Sequence, residues 1–243
     1  MLHGRLIGGL TARAAELARA DSAELACGRL TVDLFRSVPL APVRVTTNQV
    51  RAGRRIIVLD VTVEQEDGPV GQGRVVLLRR SAQPDGRFRP PPAWEARTPR
   101  ELGPPEPMAT RRWTPPWESW RIGNGAGAMT AGLWIRDTHP LVTGEQLTPL
   151  VRLAMAADLA SPVSNSTDRG LSFINADYTV YLGREPRGEY VGIQPDGHLS
   201  EAGVAAGRCV LHDLSGAVGF AGVAAVANPT LGLPAGATPP GGG

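Results

Sequence analysis

Asp158 stands in the segment "MAADLASPVS", between Ala156-Ala157 and Leu159-Ala160. A carboxylate in such company is a candidate for partial burial, and burial makes a carboxylate a better general base. The competing assignment is a cap or a solvated position on a helix. Asn175 and Asp177 fall in "INADYT" at the opening of a strand, where either can hold local backbone hydrogen bonds.

The remaining chemistry-bearing residues mainly exclude function classes. The histidines at 3, 139, 198 and 212 show no HxH or HxxxH spacing, and Cys27 and Cys209 form no CxxC, so neither a metal site, a disulfide framework nor a cofactor is expected. No GxSxG occurs, which argues against a serine hydrolase with a nucleophile elbow. "GNGAGAM" at 123–129 lacks dinucleotide spacing and reads as a loop. A formal net charge of +2, with every basic residue except the histidines an arginine, does not suggest a nucleic-acid binder. The opening "MLHGRLIGGLTARAAELARA" is interrupted by charges, unlike a signal peptide, and no apolar run is long enough to span a membrane. A reducing, cytoplasmic setting is the expectation.

The elements that must position these residues form a repeating pattern. Leu6, Ile7, Leu10, Ala14, Leu17 and Ala18 recur at three- and four-residue spacing and predict a helix over 7–20. "RLTVDLFRSV", "PVRVTTNQV", "RRIIVLDVTVEQE" and "VGQGRVVLLRR" then read as a four-stranded antiparallel meander. Residues 82–126 are proline-rich and read as a linker, pinned across the sheet by tryptophans at 94, 113, 117 and 120 together with Trp134. A strand near "AGLWIRD" precedes a second helix over 149–160, with Thr148 as its cap and Pro149 at its first position. "LSFINADYTVYL", "EYVGIQPDGHL", "GVAAGRCVLHD" and "GAVGFAGVAAVA" repeat the strand series, and a Gly/Pro-rich tail over 229–243 is expected to be disordered.

"GPVGQGRVVLL" from Gly68 and "GAVGFAGVAAV" from Gly216 are the same phrase, separated by the offset that also separates Arg36 from Arg184. "RAAELA" at 13–18 matches "MAADLA" at 155–160, so Glu16 corresponds to Asp158. The expected class is therefore α+β, with two central helices each wrapped by an antiparallel sheet and the two sheets continuous.

The phrases "HG" at His3-Gly4 leading into "GGLTARAAE", "LTVDLFRSVPLAP", "AADLASPVS", "FINADYTVYLGREPRGEYVG" and "LHDLSGAVGFAG" together resemble the double-hotdog acyl-CoA thioesterases of the type II class. The resemblance covers residues 3–80 and 128–226 and implies a first hotdog over 1–81, the linker over 82–126 and a second hotdog over 127–228. In that family a strand precedes the "HG", so the first hotdog is expected to lack one strand. The implied reaction is hydrolysis of a fatty acyl-CoA thioester by an activated water, without a metal or a covalent acyl-enzyme. A homodimer is the implied assembly. Arg pairs at 54–55, 79–80 and 111–112 are candidates for the phosphates of coenzyme A or for solvated surface.

The resemblance gives Asp158 and Asn175 the catalytic positions, and sets His3, Gly8, Gly9 and Val223 along the substrate path. Backbone N–H groups at a helix start are the donors expected to meet the developing oxyanion. Val223 stands where the family has a glutamine, and valine offers no hydrogen bond. The loss of one such contact costs on the order of a hundredfold to a thousandfold in rate. That substitution keeps open an alternative, a catalytically weak or inactive hotdog protein that binds acyl-CoA or acyl chains.

Overall fold

The computed structural model of the protein describes residues 1–20, 22–105, 114–123, 131–168 and 170–228. Helix α1 (Gly4–Ala18) is followed by β1 (Leu25–Leu34), β2 (Arg44–Ala52), β3 (Ile56–Gln65) and β4 (Gly68–Arg79). A short α2 (Pro99–Leu102), β5 (Trp117–Ile122) and β6 (Gly132–Asp137) lead to α3 (Pro149–Ala157) and α4 (Ala160–Ser164). Then come β7 (Ser166–Thr167), β8 (Gly170–Leu171), β9 (Phe173–Asn175), β10 (Asp177–Leu182), β11 (Val191–Glu201), β12 (Val204–Asp213) and β13 (Gly216–Ala227).

One antiparallel sheet runs β2-β3-β4-β1-β10-β13-β12-β11-β6-β5, with β9 added beside β13. Its two halves join at the β1–β10 pair, where Thr31 faces Thr179 and the two hydroxyls hydrogen-bond at 3.1 Å across 148 positions of sequence. Each threonine thus meets its own counterpart, and a pseudo-twofold passes between them. The repeat extends to side chains. Arg36 donates to the carbonyls of Pro69 and Gly68, and Arg184 donates to those of Ala217 and Gly216.

The expected meander is corrected in one respect. β2, β3 and β4 are consecutive neighbours, but β1 pairs with β4 rather than β2. Burial explains the order. β1 buries Leu25, Cys27, Leu30 and Val32 and takes the centre, whereas the polar β2 "RVTTNQVRA" is exposed almost throughout and takes the edge.

Helix α1 starts three residues earlier than its periodicity predicts because His3, in extended conformation, caps Arg5 N with its Nδ1. The second helix is shorter than expected, ending at Ala157 instead of 160. Pro162 is responsible: it lacks the N–H that would reach the carbonyl of Asp158, and its ring opposes that carbonyl. The chain resumes as α4, leaving Asp158 at the C-cap of α3. Packed between the helices and the inner sheet face, Leu30, Val32, Val75, Leu153, Ala156, Ile193 and Leu211 belong to one continuous core.

The linker reading over 82–126 also needs correction, since residues 117–122 form β5. "WESWRI" is free of proline, which lets it pair with β6, Trp120 opposite Trp134. Upstream, Trp94 stacks on Trp134 at 5.1 Å and on His212 at 4.8 Å, and Trp134 Nε1 donates to Arg97 O. These contacts strap the segment onto the sheet face away from the helices. Trp113, the Arg111-Arg112 pair, most of the "GNGAGAM" segment and the 229–243 tail lie outside the described residues.

Candidate active site

Asp158, at the break between α3 and α4, is buried, with only 6% of its surface exposed. Asn175, the last residue of β9, donates from Nδ2 to Asp158 Oδ1 at 2.9 Å. Asn175 can reach inward because β9 is pinned on β13, Asn175 opposite Ala225 and Ala176 N on Ala224 O. Asp177 is used differently: its Oδ1 accepts from Ala224 N at 2.7 Å, the local backbone bond expected of a strand-opening residue.

His3 completes the cluster from the other half of the chain. Its Nδ1 lies 3.3 Å from Asp158 Oδ2 and 3.4 Å from Arg5 N. One nitrogen cannot donate to the carboxylate and accept from the amide at once, so the two contacts alternate with the position of the ring proton. His3 is half exposed and forms the solvent side of the cluster. Gly4, which carried no separate signal in the sequence, has to be glycine here: a Cβ would lie 2.8 Å from Asp158 Oδ1 and 3.0 Å from Leu34. The first turn of α1, the positive end of the helix dipole, is therefore brought up against the carboxylate.

Gly8 and Gly9 sit one turn further along α1, at its crossing with α3. A Cβ on Gly8 would lie 1.6 Å from Tyr178 Oη and 2.9 Å from Ala154 O, and one on Gly9 would lie 2.7 Å from Met155. They set the approach of the helices and hence the reach from His3 to Asp158. Tyr178 is wholly buried, donates to Ala154 O at 2.9 Å, and has its hydroxyl pKa pushed up by burial and by the negative charge of Asp158. Val223 is buried on the inner face of β13, opposite Gly207, one inward position before the Ala225 that faces Asn175. The strand position level with Asn175 is thus held by alanine.

Two further residues of the surroundings were not legible in sequence. Arg5 is buried, bonded to Asp137 Oδ1 at 2.6 Å and to Met155 O at 3.1 Å, and its guanidinium lies 4.3 Å from the Trp117 ring centroid. Trp117 in turn meets His3 edge to face at 6.3 Å. Burial raises the Asp137 carboxyl and the Arg5 charge opposes that rise. The only signal for Trp117 was its place in the tryptophan-rich stretch; Arg5 had none.

The pseudo-twofold carries the cluster to the opposite end of the helix pair, where its chemistry changes. Thr148, the N-cap of α3, donates to Glu16 Oε2 at 2.8 Å, as His3, the N-cap of α1, meets Asp158. Burial raises the Glu16 carboxyl. Cys27, opposite Leu77, occupies the register that Asn175 holds opposite Ala225. Burial pushes the Cys27 thiol up to about 12, so it is a neutral thiol where the other end has an amide. Only the Asp158 end joins a carboxylate, an amide and an imidazole. Among the described residues no three His, Cys, Asp or Glu side chains group as a metal site.

The fold is that of the hotdog proteins. A structure described as an acyl-CoA thioesterase II from Mycobacterium marinum superposes with a TM-score of 0.65 at 16% identity, over 95% of this chain and 92% of the other. A hotdog-fold protein from Alicyclobacillus acidocaldarius gives 0.66 at 18% identity, covering 91% and 86%. A tesB protein from Mycobacterium avium subsp. paratuberculosis gives 0.64 at 16% identity, also covering 91% and 86%. No curated protein sequence matches the chain.

The chain belongs to the acyl-CoA thioesterase family: residues 1–78 match its N-terminal domain and residues 82–221 its C-terminal domain. Hydrolysis of acyl-CoA thioesters is the reaction that membership brings. No helix among the described residues is long and apolar enough to cross a membrane.

Proposed function

We propose that the protein hydrolyses fatty acyl-CoA thioesters with a water activated by Asp158 and oriented by Asn175, in a double hotdog whose central helices α1 and α3 are each wrapped by their own half of the sheet. Residues 1–81 and 127–228 are the two hotdogs in this reading, and the stretch between them adds β5 to the sheet beside β6. The observation that carries it is the 2.9 Å bond between the Asn175 amide and the buried Asp158 carboxylate.

The water oxygen attacks the thioester carbonyl as Asp158 takes a proton from it. The positive N-terminal end of α1, beside Asp158, stabilises the oxyanion. Collapse of the tetrahedral intermediate breaks the C–S bond, and the proton held by Asp158 passes to the leaving sulfur, giving a fatty acid and free coenzyme A. His3, on the solvent side, relays protons between Asp158 and bulk water. Neither a metal nor a cofactor enters this scheme. A role in lipid metabolism, a cytoplasmic location and a homodimer complete the reading.

Thiol release from a medium- or long-chain acyl-CoA tests it. Asn175→Ala is expected to lower kcat about a hundredfold with little change in KM, because the amide orients water rather than substrate. Turnover unchanged in Asn175→Ala would remove the amide from the mechanism.

A further inference from the structure

A second polar chain lies on the same inner sheet face and is not part of the Asp158 cluster. Ser200 and His198 are both exposed on β11, two residues apart and therefore on the same side of the strand. Ser200 Oγ is 2.9 Å from His198 Nε2, and His198 Nδ1 is 2.8 Å from Asn165 Oδ1. Asn165 is 1% exposed, and its Nδ2 is turned to Ser161 Oγ at 3.4 Å.

With the Asn165 amide nitrogen toward Ser161, Oδ1 faces His198 as an acceptor, and the tautomer that matches it carries the proton on Nδ1. Nε2 is then a lone-pair acceptor aimed at the Ser200 hydroxyl. Nucleophile, base and orienting group stand in the order that acyl-transfer enzymes use. A glycine makes the arrangement possible: a Cβ on Gly207, opposite His198, would lie 2.5 Å from Asn165 Oδ1 and 2.0 Å from Ser164 Oγ. Phe173 packs edge to face on the imidazole at 5.8 Å and restricts its rotation.

The location suits an acyl acceptor. Ser200, Ala205, Ala225 and Asn175 are paired in one row across β11, β12, β13 and β9, so the serine lies three strands, ~14 Å along the sheet, from the amide of the first centre. β6 covers only Val191–Ile193 of β11. Beyond that point, alternate backbone N–H groups of β11 face outward from the sheet edge and are donors for an oxyanion.

We propose that Ser200, His198 and Asn165 form a second acyl-transfer centre, in which Ser200 is a nucleophile toward small activated esters and thioesters. Ser200 Oγ bonds to the acyl carbon as its proton moves to His198 Nε2. The carbonyl–S or carbonyl–O bond then breaks, and the leaving thiolate or alkoxide takes that proton. A water cleaves the seryl ester by the same proton path in reverse.

The test is covalent labelling of the full chain with an alkyl fluorophosphonate, in which the Ser200 Oγ–P bond forms, fluoride leaves and His198 takes the proton. Intact mass and peptide mapping are expected to show a single adduct on Ser200. The adduct should be absent in Ser200→Ala, form about a hundredfold more slowly in His198→Gln, and form at the wild-type rate in Asp158→Ala. The Asp158 arm separates this centre from the hydrolysis proposed above. No adduct on Ser200, or one that forms equally fast in His198→Gln, would overturn the proposal and leave the trio as a structural tie between β11 and α4.

Discussion

Replacing Gly8 by alanine should both destabilise the protein and slow it, because one methyl group would enter the closest part of the α1–α3 crossing. The added Cβ would lie 1.6 Å from Tyr178 Oη and 2.9 Å from Ala154 O, and neither group has room to retreat, since Tyr178 is fully buried. Two costs combine. Overpacking a tight core costs about 1–3 kcal/mol. Loss of the 2.9 Å bond from Tyr178 to Ala154 O leaves the buried Tyr178 hydroxyl unpaired, for about another 1–3 kcal/mol. A total near 3–4 kcal/mol lowers Tm by about 6–16 °C for a chain of this size. Because His3 and Asp158 lie on the two helices being pushed apart, their 3.3 Å contact should lengthen and kcat should fall with stability. Thermal unfolding and thiol release on the same preparations measure both effects. The clash has a specific partner, so Gly8→Ala in a Tyr178→Phe background, where the hydroxyl is gone, should cost less than the two single changes added together. A Gly8→Ala protein within 1 kcal/mol of wild type, or strict additivity with Tyr178→Phe, would refute the reasoning.

Val223→Gln introduces an amide on the inner face of β13 one position from Ala225. It is expected to raise kcat on a medium- or long-chain acyl-CoA about tenfold at some cost in stability; steady-state thiol release checks this, and unchanged or lower turnover would show that this strand position does not face the reacting carbonyl. His212 provides a prediction in pH. Burial, chiefly, and the nearby Arg184 charge lower its pKa to about 4 despite Asp213, so the fold keeps it neutral while the unfolded chain takes up a proton near 6.5. Its contribution to stability is complete above pH 6.5, declines between 6.5 and 4 and is lost below, an upper bound of about 3 kcal/mol. Asp213 works in a lower window. Burial raises it, but hydrogen bonds from Arg184 and Ser215 outweigh that and bring it to about 2, so its contribution is lost as pH falls from 3.8 toward 2. Urea midpoints measured from pH 7 to pH 4 should fall more steeply for wild type than for His212→Gln, and parallel curves would contradict the assignment.

The repeat was legible because its signals are local: glycine turns, alternating apolar runs and helical spacing survive at a constant offset. Strand order was not. Nothing in "LTVDLFRSV" says that it crosses to the far side of β4, because that choice depends on which strand must be buried on the joint between halves. β5 was hidden by the prolines on both sides of "WESWRI". In the site, the resemblance brought Asp158 and Asn175 to notice, and the coordinates place them in contact. The part played by Pro162 in ending α3 at Asp158 is local, and could have been read from its spacing. His3 stood out through the same resemblance, whereas Gly4 and Trp117 are different, since their importance comes from the start of α1 meeting the end of α3. That meeting is a tertiary event with no periodicity of its own. Gly8 and Gly9 stood out as substrate-path residues, whereas the structure places them at the helix crossing.

The central claim, that thioester hydrolysis runs through the Asp158 carboxylate, is tested most directly by the turnover of Asp158→Asn on a medium- or long-chain acyl-CoA. Asparagine keeps the size of the side chain and an oxygen for the Asn175 amide while removing the base. The account predicts that kcat falls by about a hundredfold or more with the fold intact by circular dichroism and thermal unfolding. Turnover within a few-fold of wild type in a folded Asp158→Asn protein would contradict it.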